Sequence, residues 1–182
     1  MRNFARFLVN AAGLSLAILS TGRAVAATEC SGTLSATVTT GVVVNAGDTC
    51  VLSGANVYGG VLVNNGGRLI ACGSIIYGGI RSDGAARILI GPEELPNCKG
   101  DTIYGGIRIR NSGPSVIPGP PSVGIENSIV DGGIHLTGNI GRLVIANNNI
   151  NGGMFCKDNK SDPGDEGKPS FVTGAITCVF NP

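Results

Sequence analysis

From about residue 30 onward, apolar residues alternate with polar ones in short runs that return along the chain. Val57, Ile76, Ile103, Val130 and Ile150 occupy one column, each just ahead of a tripeptide ending in Gly-Gly. Val61, Ile80, Ile107, Ile134 and Met154 follow the glycines as a second column. Two places on stand Val63, Ser82, Ile109, Leu136 and Cys156. Further stretches line up Leu69, Val123 and Leu143, then Ala71, Ile125 and Ile145. Period-two alternation rich in β-branched residues predicts short strands with one buried face, not helices. The glycines and the run Asn147-Asn148-Asn149 belong at the bends between strands.

The strands are organised by a repeat. Tyr58-Gly59-Gly60-Val61 returns as Tyr77-Gly78-Gly79-Ile80 and Tyr104-Gly105-Gly106-Ile107, then as Asp131-Gly132-Gly133-Ile134 and Asn151-Gly152-Gly153-Met154. Degenerate copies begin at Thr39 and Thr173. The steps between copies are 19, 19, 27, 27, 20 and 22 residues, and the two long steps hold proline-bearing inserts at 91–99 and 113–122. A period near 20 with atypical end copies marks a solenoid, whose stacked coils turn each sequence column into a ladder at about 4.8 Å spacing.

Composition agrees. Thirty of 182 residues are glycine and 14% are charged. The glycines lack the every-third-residue period of collagen and are too frequent for a long helix. The Val, Ile and Leu content supplies the burial that disordered chains lack. A β-sandwich would not explain the regular return of Gly-Gly-Ile. The repeat resembles the single-stranded parallel β-helix class, the architecture of pectate-lyase-like proteins and other secreted repeat proteins. That resemblance covers roughly residues 30–182 and implies an all-β parallel β-helix of about seven short coils. It carries no catalytic motif of one family.

Residues 1–26 read as a secretory signal peptide: Arg2 and Arg6, an apolar stretch at 7–19, and Ala24-Val25-Ala26 as a small-x-small cleavage pattern. The stretch is shorter than the roughly 20 residues of a spanning helix. Residues 27–182 form the single remaining domain, expected to be secreted or periplasmic without a membrane span. Loss of Arg2, Arg6 and Arg23 leaves 10 basic against 12 acidic residues, a net charge of −2. That balance gives no footprint for nucleic acid.

Six cysteines, an even number in an exported chain, suggest disulfides. Cys156 and Cys178 lie at the same place in successive units. Cys30 and Cys50 nearly match, as do Cys72 and Cys98. Neighbouring strands bring such positions within bridging distance, so the simplest pairing is sequential: 30–50, 72–98 and 156–178. Unpaired cysteines stacked in the interior are the alternative. No CxxC is present and His135 is the lone histidine, so neither a metal nor another cofactor is expected.

Chemistry in a solenoid sits on outward ladders or inserted loops. Tyr58, Tyr77 and Tyr104 share one outward column. Leu62, Arg81, Arg108, His135 and Phe155 form a second, and Asn64, Asp83, Arg110, Thr137 and Lys157 a third. One reading is a flat binding surface, with tyrosines stacking on sugar rings and arginine forks holding carboxylates, and Asp83 available to offset the stacked arginines. The other is that an aromatic ladder stabilises its sheet, each cross-strand pair contributing about 0.2–1 kcal/mol.

A polysaccharide lyase would need a base such as Arg108 or Arg110, and acids to hold calcium; Asp83 and Asp131 are single acids on separate coils. The stretch 157–168 reads as a solvated acidic loop, and Asn159-Lys160-Ser161 matches a glycosylation sequon. No threonine column repeats, which argues against an ice-binding face. The expected function is therefore structural or carbohydrate-binding and non-catalytic, with a polysaccharide lyase as alternative. Self-association through the open strand edges at the solenoid ends is a further possibility.

Overall fold

The computed structural model describes residues 26–113 and 121–179. The expected leader lies outside the described residues except for Ala26, as does most of the second insert. The chain is an all-β, three-sided parallel β-helix. Sheet I stacks Thr28–Glu29, Val42–Val44, Val61–Val63, Ile80–Asp83, Ile107–Arg110, Ile134–Thr137 and Met154–Lys157 in chain order. Sheet II stacks Thr33–Leu34, Thr49–Ser53, Arg68–Cys72, Arg87–Ile90, Val123–Glu126 and Leu143–Ala146. Sheet III stacks Thr37–Val38, Asn56–Val57, Ile75–Ile76, Thr102–Ile103, Ile129–Asp131, Asn149–Asn151 and Phe171–Val172. Among the described residues there is no helix, and hence none long and apolar enough to cross a membrane.

The sequence columns are the interior. Val61, Ile80, Ile107, Ile134 and Met154 pair in register on sheet I and are buried. Val57, Ile76, Ile103, Val130 and Ile150 do the same on sheet III. Like side chains therefore pack on like side chains along the axis, and each coil buries its apolar face only because its neighbours are present.

Backbone conformation turns the corners. Between sheets II and III, Gly54, Gly73, Gly91, Asn127 and Asn147 all have φ between 51° and 66°. Only glycine and asparagine adopt this left-handed conformation readily. At the Gly-Gly corner between sheets III and I, Gly60, Gly79 and Gly106 are left-handed too (φ 81°, 75° and 73°), and close approach adds a second requirement. A Cβ at Gly78 would lie 2.6 Å from the Gly60 nitrogen, and one at Gly105 would lie 2.5 Å from the Gly78 carbonyl carbon.

A buried polar ladder runs up the corner between sheets II and III. Ala55 N donates to Ser74 Oγ (3.1 Å), Ser74 N to Asp101 Oδ1 (2.7 Å) and Asp101 N to Ser128 Oγ (3.0 Å). Ser128 N then donates to Asn148 Oδ1 (2.9 Å) and Asn148 N to Ser170 Oγ (3.1 Å). Each side chain satisfies a backbone N–H that the corner takes out of the sheet pattern. A second ladder at the corner between sheets I and II links Ser112 N to Asn139 Oδ1 and Asn139 N to Asn159 Oδ1. Asn159 Nδ2 also donates to the Leu136 carbonyl, so the sequon amide is occupied inside the fold.

Most of the stretch at 157–168 is the exposed loop expected of it, but its middle is tied to sheet II. Pro163 is buried, Ile145 N donates to the Gly164 carbonyl and Gly164 N to the Leu143 carbonyl. The segment supplies a seventh rung to sheet II.

Disulfides join Cys30 to Cys50, Cys72 to Cys98 and Cys156 to Cys178, with Cα separations of 5.3, 4.9 and 4.8 Å. Each clamps successive coils, a chemistry that suits an oxidising compartment.

One interior position breaks the apolar pattern. Ser82 pairs with Val63 and Ile109 in the inward column of sheet I, and its buried Oγ has no hydrogen-bond partner. Ser82→Val restores the column and removes an unpaired hydroxyl. The variant is expected to gain about 1 kcal/mol, raising the melting temperature by about 2–4 °C in a calorimetric scan.

Candidate functional site

The outward side of sheet I carries the densest set of charged side chains in register. Leu62 pairs with Arg81, Arg81 with Arg108, Arg108 with His135 and His135 with Phe155. One column over, Asp83 pairs with Arg110, Arg110 with Thr137 and Thr137 with Lys157. All of these side chains are exposed or half-buried because period-two alternation sends their neighbours inward.

Asp83 does not offset the arginines. Its Oδ1 accepts a 2.8 Å hydrogen bond from Asn111 Nδ2, and the ion pairs among the described residues involve neither Arg81 nor Arg108. Two guanidinium groups thus stand on adjacent strands, at a spacing of about 4.8 Å between strands, with no ion-pair partner among the described residues.

The tyrosines stand elsewhere. They end the sheet III side of the glycine corner, whereas the arginines begin on sheet I beyond it. Their rings are 52%, 41% and 49% exposed at Tyr58, Tyr77 and Tyr104. The Tyr58 and Tyr77 rings stack at 4.6 Å and 4°, those of Tyr77 and Tyr104 at 5.1 Å and 14°. Both faces of Tyr77 are therefore covered by its neighbours and present no platform to a sugar ring. The column works as a cross-strand ladder. Higher up, the same column continues as polar rungs, with Asn151 Nδ2 donating to Asp131 Oδ1.

Between the two columns the missing side chains leave an open groove. It is floored by Gly41, Gly59, Gly60, Gly78 and Gly79 and edged by Val43, Leu62 and Arg81. Its lining combines a glycine floor, an apolar edge and a guanidinium.

A second cleft lies over sheet II, assembled from segments far apart in sequence: Glu93 and Glu94 from the first insert, Glu126 from the sheet, Arg142 just ahead of its strand Leu143–Ala146, and Glu166 and Lys168 from 158–170. Most of its charges are paired: Lys168 Nζ with Glu93 (2.5 and 2.6 Å), Arg87 with Glu94 (2.7 Å) and Arg142 with Glu166. Glu126 is 5% exposed and accepts a 3.0 Å hydrogen bond from Glu93 N. Burial raises its pKa above the ordinary glutamate range, the Glu93 N–H opposes this, and the charges of Glu166, Glu94 and Glu93 add to it. Beneath the same insert, Asp101 is 1% exposed and accepts from Ser74 N and Gly91 N. Burial pushes its pKa up to about 7 against those two donors. Among the described residues, no three His, Cys, Asp or Glu side chains are arranged to hold a metal ion.

The chain matches no protein-family model, no curated protein and no solved structure. Its chemistry is therefore read from these surfaces alone. Sequence reasoning picked out the sheet I columns and missed the sheet II cleft. The available signal was the constant offset of Ser74, Asp101, Ser128, Asn148 and Ser170, each two residues before an inward sheet III position. The carboxylates gathered at Glu126 had no such signature.

Proposed function

We propose that this is an exported, non-catalytic β-helix protein that binds an acidic polysaccharide along the outward face of sheet I. The observation that carries the reading is the registered pair Arg81 and Arg108, which has no acid partner among the described residues. Stacked like charges on neighbouring strands cost free energy that an anion lying across the strands offsets. The planar guanidinium fork suits a carboxylate or sulfate, and the glycine-floored groove alongside admits a flat polymer. A negative mature chain argues against nucleic acid as the polyanion. Export rests on the leader pattern in residues 1–26 and on the three disulfides.

The test compares retardation of the protein in gels cast with a polyuronate and with a neutral glucan. Selective retardation by the acidic polymer is expected, with affinity falling roughly tenfold or more in Arg81→Ala/Arg108→Ala, since a hydrogen bond to a charged group contributes about 1.5–3 kcal/mol. Equal affinity of the wild type and the double variant would overturn the assignment. Absorbance from an unsaturated product during the same incubation would replace it with the lyase reading.

A further inference from the structure

The outward side of sheet III is aromatic and nearly free of charge. One of its columns runs Asn56, Ile75, Thr102, Ile129 and Asn149 in register, and the next runs Tyr58, Tyr77, Tyr104, Asp131 and Asn151. Asp131 is the only charged residue among them, whereas sheet I turns Arg81, Asp83, Arg108 and Arg110 to solvent. Ile129 is 51% exposed beside the half-exposed tyrosines. Stacking takes up both faces of Tyr77 and one face of each neighbour, so the column offers a partner mainly ring edges and hydroxyls. Depletion of charge together with exposed tyrosine is the composition of a protein–protein contact rather than of ordinary surface. Asp131 itself accepts from Asn151 Nδ2 and has no ion-pair partner among the described residues.

We infer that sheet III is the interface of a dimer of this chain, two copies packing face to face about a two-fold axis along the strand Thr102–Ile103. That strand is the fourth of seven in the sheet. A half-turn about it keeps each column over its own line and reverses the order of the strands. Ile75 then meets Ile129 of the partner subunit, and Asn56 meets the partner's Asn149. In the second column Tyr77 meets the partner's Asp131 and Tyr58 the partner's Asn151, so that phenol hydroxyls donate to a carboxylate and to an amide oxygen. Apolar lies on apolar and donor on acceptor, and every such contact is made twice. A two-fold axis along the solenoid would instead set each Asp131 against an isoleucine, Ile129, and leave its charge unpaired.

Six strand spacings by about four residues of strand give a footprint of about 400 Å² on each copy. That is small for a permanent dimer and places this one in the weak, reversible class. The outward side of sheet I stays uncovered, so the pairing stands whether or not that side binds a polymer.

Sedimentation velocity of the disulfide-bonded protein, over a series from micromolar to millimolar concentration, tests the interface. A concentration-dependent exchange between monomer and dimer is expected for the wild type. Ile129→Glu and Ile75→Lys should each remain monomeric through the series, because each sets a charge against an isoleucine twice over. Ile75→Lys/Ile129→Glu should dimerise again, to within about tenfold of the wild-type affinity, since the half-turn places every lysine against a glutamate. Tyr77→Phe keeps the stacked ring, removes only the hydroxyl and should weaken the dimer by about tenfold or more. Unchanged melting temperatures at dilute concentration, where the wild type is monomeric, separate lost association from lost folding. A wild type that stays monomeric, single variants that dimerise as the wild type does, or a double variant no better than the singles would each overturn the interface. Association undiminished in the single variants would assign it to the solenoid ends instead.

Discussion

Gly105→Ala is expected to cost about 3 kcal/mol or more and to lower the melting temperature by about 10 °C, although it adds one methyl group. Gly105 lies outside the left-handed region, so alanine has no backbone objection there. The obstacle is the neighbouring coil, since the added carbon would sit 2.5 Å from both the Gly78 carbonyl carbon and the Gly79 nitrogen. Those are backbone atoms held by the sheet pairings on either side of the corner and cannot swing away as a side-chain tip would. Relief requires separating two coils, which weakens the ladder bonds beside it, including Tyr104 N to the Ile76 carbonyl and Ile80 N to the Gly106 carbonyl. Gly32→Ala is the matched control: no atom lies within 4 Å of its added carbon, and the change should fall within about 0.5 kcal/mol. Equal melting temperatures for the two variants would show that the coils yield at this corner.

Replacing Cys156 and Cys178 together with serine is expected to cost about 3 kcal/mol, close to the loop-closure value for their separation of 22 residues. The loss should be local. Just ahead of Cys178, the chain at Ile176 forms a single parallel bridge to Met154 and is held there by few bonds, among them Met154 N to the Ala175 carbonyl and Thr177 N to the Met154 carbonyl. Phe171, Ile176 and Val179 are exposed and bury little to hold it. Hydrogen exchange should therefore quicken at 171–179 while strands Ile80–Asp83 and Ile107–Arg110 keep their protection. Uniform loss of protection through all coils would show instead that the solenoid unfolds as one unit.

Much of this architecture is written in the chain at single-residue resolution, because a solenoid makes spatial neighbours of residues one period apart. The step of 27 residues from Tyr77 to Tyr104 is also the register that pairs Arg81 with Arg108, and the same arithmetic brings Cys156 beside Cys178. What escaped belongs to departures from the period. The first insert and 158–170 meet across 75 residues at Lys168 and Glu93, a contact that no repeat encodes. The tyrosine and arginine columns are close in sequence, and the Gly-Gly turn sends them to different sheets. Ser82 stands in an apolar column with nothing in its local sequence to announce the exception.

The register of the coils also governs how a chain of this kind changes length. Asp131 and Asn151 are 20 residues apart, occupy equivalent rungs, and have no cysteine between them. Removing or duplicating one such segment leaves every inward column, both polar ladders and all three bridges in phase. Removing a few residues from within a strand rotates everything downstream out of its ladder. Indels that are not whole coils are confined to the corners, where both natural inserts are found. Lineages of such a protein would thus diverge by integer numbers of turns, and the length of the arginine-bearing face could be altered without redesigning a single side chain.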